Sequence, residues 1–109
     1  MSTLDTKNPI CLKSIRLLGD YWMLRIISSL EDGPQRYSEI QRLATGISPA
    51  TLTNRLKKLE EAKLVQRTEE SRAEVLYTLT MLGQDAIPFL AALNTFAQKA
   101  EQTKGTLGN

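Results

Sequence analysis

Thr51, Asn54, Arg55, Lys57 and Lys58 crowd into two turns' length of chain, and between Ala50 and Lys58 every charge is positive. Hydroxyl, amide and guanidinium groups can hydrogen-bond base edges in a duplex major groove, while Arg and Lys neutralise backbone phosphates. An ordinary solvated helix face carries similar charges, so the neighbouring elements have to decide. Catalytic chemistry has little to work with. The 109 residues contain no histidine and one cysteine, Cys11. That removes His-based metal sites, catalytic triads, the usual proton shuttle and any intrachain disulfide. No enzyme activity, metal or cofactor is expected.

The elements that must position those side chains can be read around them. Leu52, Leu56 and Leu59 recur at spacings of four and three, a single buried stripe that leaves the polar set facing out. Ser48 caps this helix and Pro49 occupies its first position, where a missing N–H is not needed. Upstream, Ser38 followed by Gln41 is a capping-box pattern, predicting a short helix that opens at Ser38 and stops by Gly46, with Ile40, Leu43 and Ile47 inward. Two capped helices separated by a tight turn are the layout of a helix-turn-helix.

The rest of the chain supplies a scaffold for one domain, residues 1–109. At 41% hydrophobic residues it can bury one core but not two. Pro9 to Leu18 reads as a helix ended by Gly19. Asp20 caps the next, to which Trp22, Ile26, Ile27 and Leu30 give core-facing bulk. Asp32, Gly33 and Pro34 form a turn, and Gln35 to Tyr37 an extended segment. Leu64–Thr68 and Val75–Leu79 are rich in β-branched and aromatic residues and predict an antiparallel hairpin, with a polar turn from Glu69 to Ala73. The fold class is therefore mainly α with a small β-hairpin (α+β), a winged helix-turn-helix. Arg72 at the hairpin tip is placed to reach a groove or phosphate. Glu69, Glu70 and Glu74 flank it and repel phosphate, so a solvated tip stands equally open.

Thr80 caps a final helix running to Ala100, on which Leu82, Ala86, Phe89, Leu93, Phe96 and Ala100 alternate spacings of four and three. This seam exceeds what a small core needs and predicts dimerisation through residues 81–100, with Pro88 kinking the helix off the seam. Residues 1–8 and the polar tail 101–109 are expected to be flexible. The net charge of +2 excludes a polycation that coats nucleic acid indiscriminately. No apolar run approaches a membrane span and no signal-peptide pattern opens the chain, so a cytoplasmic location and no membrane partner are expected.

Several blocks together resemble the HxlR-type winged helix family of bacterial transcriptional regulators, related to the MarR group. They are Cys11, LLGDYWMLRII (17–27), DGPQRYSEI (32–40), GISPATLTNRLKKLEEAKLV (46–65) and YTLTMLG (77–83). The resemblance implies a homodimer whose recognition helices meet successive major grooves of a roughly palindromic double-stranded operator. It assigns DNA reading to the helix starting at Ser48, through Thr51, Thr53, Asn54, Arg55 and Lys58, with phosphate contacts extending to Arg36 and Ser38. Cys11 sits where many relatives carry a cysteine that senses oxidants or electrophiles; the other reading is a buried small apolar residue. Two departures stand out: Leu12 follows the cysteine where the family often has proline, and the wing is about two residues short. Tyr21 and Trp22 are candidate pocket residues, with Trp22 more simply a core anchor, and no effector is named. The competing function is a protein-interaction module, because a winged helix does not by itself fix what it binds.

Overall fold

Asn8 and Pro9 open the first helix of the computed structural model, which describes residues 3–103. Asn8 Oδ1 accepts from the Ile10 amide at 2.8 Å, and α1 runs Pro9–Leu18 to the predicted end at Gly19. Asp20 caps α2 (Tyr21–Ser29) by accepting from the Met23 amide at 3.0 Å. The core side of α2 is Met23, Ile26 and Ile27, with Leu30 following; Trp22, expected among them, is only half-buried and packs against the core's edge.

The helix-turn-helix comprises α3 (Tyr37–Leu43) and α4 (Pro49–Glu61). Its first boundary differs from the sequence expectation. Arg36 is the N-cap residue, and the reciprocal contact comes from Glu39, whose carboxylate accepts from the Arg36 amide at 2.8 Å. Glu lies three residues after that cap as a capping box requires, whereas Ser38 and Gln41 lie inside the helix. The cap thus lies two residues earlier than expected; Leu43, expected inward, is 40% exposed, while Ile40 and Ile47 are buried. Gly46, at φ 93°, supplies the left-handed turn residue between the helices. Ser48 Oγ accepts from the Thr51 amide at 3.1 Å, and Leu52, Leu56 and Leu59 fill the core as predicted.

Strands β1 (Val65–Ser71) and β2 (Glu74–Leu79) pair antiparallel, Val65 opposite Leu79, with an irregularity between Glu69 and Ser71. The hairpin is longer and its turn tighter than expected: strand pairing reaches Ser71–Glu74 and leaves Arg72 and Ala73 at the tip. Gln35 exchanges two backbone hydrogen bonds with Tyr77, at 3.0 and 2.8 Å, adding a single bridging residue to the sheet. The rest of the predicted extended segment is absorbed by the start of α3.

The C-terminal region is two helices, not one. Thr80 caps α5 (Met81–Gln84), and α6 (Ile87–Gln102) restarts with Pro88 in its first turn, where proline is tolerated. Pro88 therefore starts a helix instead of kinking one. Gly83 explains why α5 lies where it does, since a Cβ there would stand 2.1 Å from the Leu64 carbonyl oxygen. Of the predicted seam, Ala86 (6% exposed) and Ala100 (9%) are buried within the protomer, and Leu82 sits on α5. Phe89, Leu93 and Phe96 remain as one exposed stripe on α6. No helix among the described residues is long and apolar enough to cross a membrane. The expectations for residues 1–2 and 104–109 lie outside the described residues, and residues 3–8 form bends and turns.

Candidate nucleic-acid interface

Helix α4 presents its polar side because its apolar side is consumed by the core. Asn54, Lys57 and Lys58 are exposed, as is Thr53, while Thr51 is half-buried. The N-terminal turn is tied down twice. Ser48 Oγ–H donates to Thr51 Oγ1 at 3.0 Å while accepting from the Thr51 amide. Across from it, Tyr37 at the start of α3 donates its hydroxyl to the Pro49 carbonyl at 3.0 Å. With that proton spent, the 3.1 Å contact between Tyr37 Oη and Thr53 Oγ1 has the threonine as donor. Tyr37 thus fixes the angle between the helices and the rotamer of one candidate base-reading residue. Sequence patterning missed it because an aromatic beside Gln35 and Arg36 reads as strand.

Arg55 is placed differently from the free outward position expected for it. Its guanidinium forks onto Asp20, Nε to Oδ1 at 3.3 Å and Nη2 to Oδ2 at 3.1 Å, and its Nη1 donates to Asn54 Oδ1 at 2.9 Å. Both side chains of the ion pair are largely covered, at 25% and 30% exposure. Burial pushes the Asp20 pKa up, but the Arg55 hydrogen bonds and charge, with the α2 amides, outweigh it and hold the carboxyl below its usual range. One carboxylate therefore caps α2 and docks α4, and Arg55 orients the Asn54 amide beside it.

The flanking candidates occupy the other edge. Ser38 is exposed in the first turn of α3. Arg36 is exposed and bonds Glu74 of β2 at 2.5 Å, linking the tip end of the wing to the helix-turn-helix. Glu69 is drawn onto Arg67 at 2.8 Å. Two of the three acids that flank Arg72 are thus neutralised by neighbours, and Arg72 stands exposed at the tip with no ion pair among the described residues.

Away from this face, Cys11 is a free, half-exposed thiol in the first turn of α1. Ile10, Leu12 and Ile15 of the same helix are exposed at 66%, 41% and 40%. A groove of about 640 Å³ lies between α2 and α6, lined by Tyr21, Leu24, Arg25, Leu90 and Leu93 among others. Tyr21 reaches it and Trp22, stacked edge-to-face on Tyr21 at 4.8 Å, does not. No group of three His, Cys, Asp or Glu residues that could hold a metal ion occurs among the described residues.

Comparison with known proteins identifies this arrangement. A family model described as HxlR-like helix-turn-helix matches residues 17–104. The HTH-type transcriptional regulator YodB of Bacillus subtilis (strain 168) is 41% identical over 81 residues, 70% of this chain and 72% of its own. The crystal structure of quinone-bound YodB from B. subtilis superimposes with a TM-score of 0.75 at 34% identity, covering 84% of this chain and 99% of that one. The same regulator is known in a reduced and a diamide-treated form. A MarR-family transcriptional regulator from Enterococcus faecalis V583 gives a TM-score of 0.76 at 29% identity over 96% of both chains. With most of its length inside the family's span and the winged helix in common with these regulators, the chain belongs to the HxlR-like helix-turn-helix family of transcriptional regulators.

Proposed function

We propose that the protein acts in the cytoplasm as a homodimer that binds a roughly palindromic operator and regulates transcription by occupying it. The observation that carries this reading is α4: a helix whose apolar side is fully buried and whose N-terminal turn is pinned at Ser48 and Tyr37, with Thr53, Asn54, Lys57 and Lys58 exposed on its other side. Thr51, Thr53 and Asn54 read base edges. Lys58, Ser38, Ser48 and Arg36 meet phosphates, Arg72 reaches from the wing, and Arg55 acts through the Asn54 amide it holds. No step of this function requires bond chemistry.

The second copy docks on apolar surface that the protomer leaves open, Phe89, Leu93 and Phe96 of α6 with Ile10, Leu12 and Ile15 of α1. Cys11 lies among the last three, which places a thiol near the dimer contact. Regulation by oxidants or electrophiles follows the same lines as the forms in which YodB is known. Two Cys11 thiols, or one and a small thiol, lose two protons and two electrons to an oxidant such as diamide and form an S–S bond.

Fluorescence anisotropy of the reduced protein on the DNA upstream of its own gene, against scrambled DNA across a salt series, tests the first part. Preference for the upstream DNA with steep salt dependence is the expected result. A flat salt response moves the reading to protein docking. Cys11→Ser should abolish oxidant-dependent release of DNA, and unchanged release would remove the thiol from the mechanism.

A further inference from the structure

Where α1 passes the flank of α4 the chain forms a cleft of about 250 Å³, lined by Lys13, Arg16 and Leu17 of α1, by Asp20 and Met23, and by Arg55 and Lys58 of α4. Four cations and one carboxylate share it. The carboxylate is already spent, since Asp20 takes up Arg55 through two hydrogen bonds and caps α2 with the same group. Lys13, Arg16 and Lys58 make no side-chain hydrogen bond or ion pair among the described residues. Three uncompensated cations in a concave site repel one another, and a concave low-dielectric wall focuses their field outward. Such a cleft is stabilised by an anion.

Lys58 tells which anion. It belongs both to this cleft and to the exposed face of α4, so an anion held here lies at the edge of whatever α4 meets. A helix seated in a major groove has a phosphate backbone along each flank. Spacing of three residues puts Lys13 and Arg16 on one side of α1, above Lys58. We infer that the cleft between α1 and α4 grips a phosphodiester of the operator backbone, so that α1 is a DNA-binding element through Lys13 and Arg16. This rests on the DNA-binding reading above. It gives α1 two jobs, since Ile10, Leu12 and Ile15 are the residues proposed to meet the second copy.

The test is the double variant Lys13→Gln/Arg16→Gln in the full chain, titrated on the upstream duplex and on a scrambled duplex across a salt series. Removing two phosphate contacts should lower the slope of log K against log salt by about 1.8 per protomer. The affinity loss should be about the same on both duplexes, because phosphates carry no sequence. Lys13→Arg/Arg16→Lys keeps the charges and should bind as the parent does, and Lys99→Gln on α6 should leave the slope unchanged. A parent that binds with steep salt dependence, paired with a Gln variant of the same slope and affinity, overturns the inference alone. Equal loss in the charge-keeping variant overturns it too, by assigning the effect to packing. A parent with no salt-dependent binding removes the DNA reading and this inference together.

Discussion

Helices α4 and α6 carry the same apolar spacing and meet opposite fates. In α4, Leu52, Leu56 and Leu59 are at most 2% exposed; in α6, Phe89, Leu93 and Phe96 are 46–59% exposed. Spacings of four and three state only that a helix has one apolar side. What covers that side depends on which elements pack against it. Helix α4 arrives mid-chain, with α2 on one side and the hairpin still to come, and is pinned by caps, by Tyr37 and by Asp20. Helix α6 packs one edge on α2 and leaves Phe89, Leu93 and Phe96 exposed, the stripe proposed above to meet a second copy.

The contrast can be broken at its strongest point by truncating one residue in each stripe. Leu56→Ala should cost about 3 kcal/mol of unfolding free energy at any protein concentration, by loss of burial and the cavity left behind. Phe96→Ala should leave helical content intact and weaken self-association by about 2 kcal/mol, visible by sedimentation as a shift toward monomer. If both changes act on unfolding alone, independent of concentration, the aromatic stripe is part of the protomer's own stability and the comparison fails.

Gly83→Ala addresses what lies between the two helices. The added Cβ would fall 2.1 Å from the Leu64 oxygen, in a place where the Thr80 hydroxyl also donates to the Lys63 carbonyl at 2.6 Å. Backbone must move, at a cost of about 2–3 kcal/mol in chemical denaturation. Because α5 sets where α6 leaves the core, dimerisation should fall with it.

Asp20 tests how α4 is held. Its carboxyl titrates below the ordinary value of 3.8, so the Asp20–Arg55 brace contributes fully above that value and fades as pH falls through the lowered folded-state pKa. Asp20→Asn keeps a side-chain oxygen for the α2 cap and loses the charge. It should cost about 1 kcal/mol near neutral pH, with the gap to the parent closing below pH 3.8. DNA affinity should drop as well, because Arg55 would release Asn54.

Much of this was legible in the residues. The starts of α1, α2 and α4 follow from Pro9, Asp20 and Ser48–Pro49, because a cap or a first-turn proline acts within its own turn and needs no tertiary context; the Asn8 cap of α1 emerges only in the structure. The α3 start was displaced because two capping patterns overlap, and Glu39 outcompetes Gln41 by carrying a charge to the Arg36 amide. The break before α6 was hidden for a different reason. The apolar spacing runs unbroken from Leu82 to Ala100, and Pro88, which reads as a kink within one helix, instead sits in the first turn of a second. In the candidate site, the residue types on α4 were readable but their partners were not. That Arg55 faces Asp20, or Thr53 faces Tyr37, depends on how helices cross.

Lys63 sharpens the comparison at its finest grain, because it shows how firmly α4 is ended. Its φ of 65° is the one positive value at a non-glycine among the described residues. The Leu64 amide reaches back to the Leu59 carbonyl at 2.9 Å and the Lys63 amide to Glu60 at 3.0 Å, the paired bonds of a Schellman motif in which glycine is the usual residue. The left-handed conformation costs a lysine about 1–2 kcal/mol, while a glycine gives back roughly 0.5–1 kcal/mol in unfolded-state entropy. Lys63→Gly should therefore stabilise the protomer by about 0.5 kcal/mol, a rise of a few degrees in a thermal melt. Since the side chain is exposed and lies outside the cluster formed by Lys13, Arg16 and Lys58, the salt dependence of DNA binding should not change. A lower melting temperature would mean that the lysine side chain contributes at the helix end, favourably placed against the last carbonyls of α4, by more than the backbone strain it imposes.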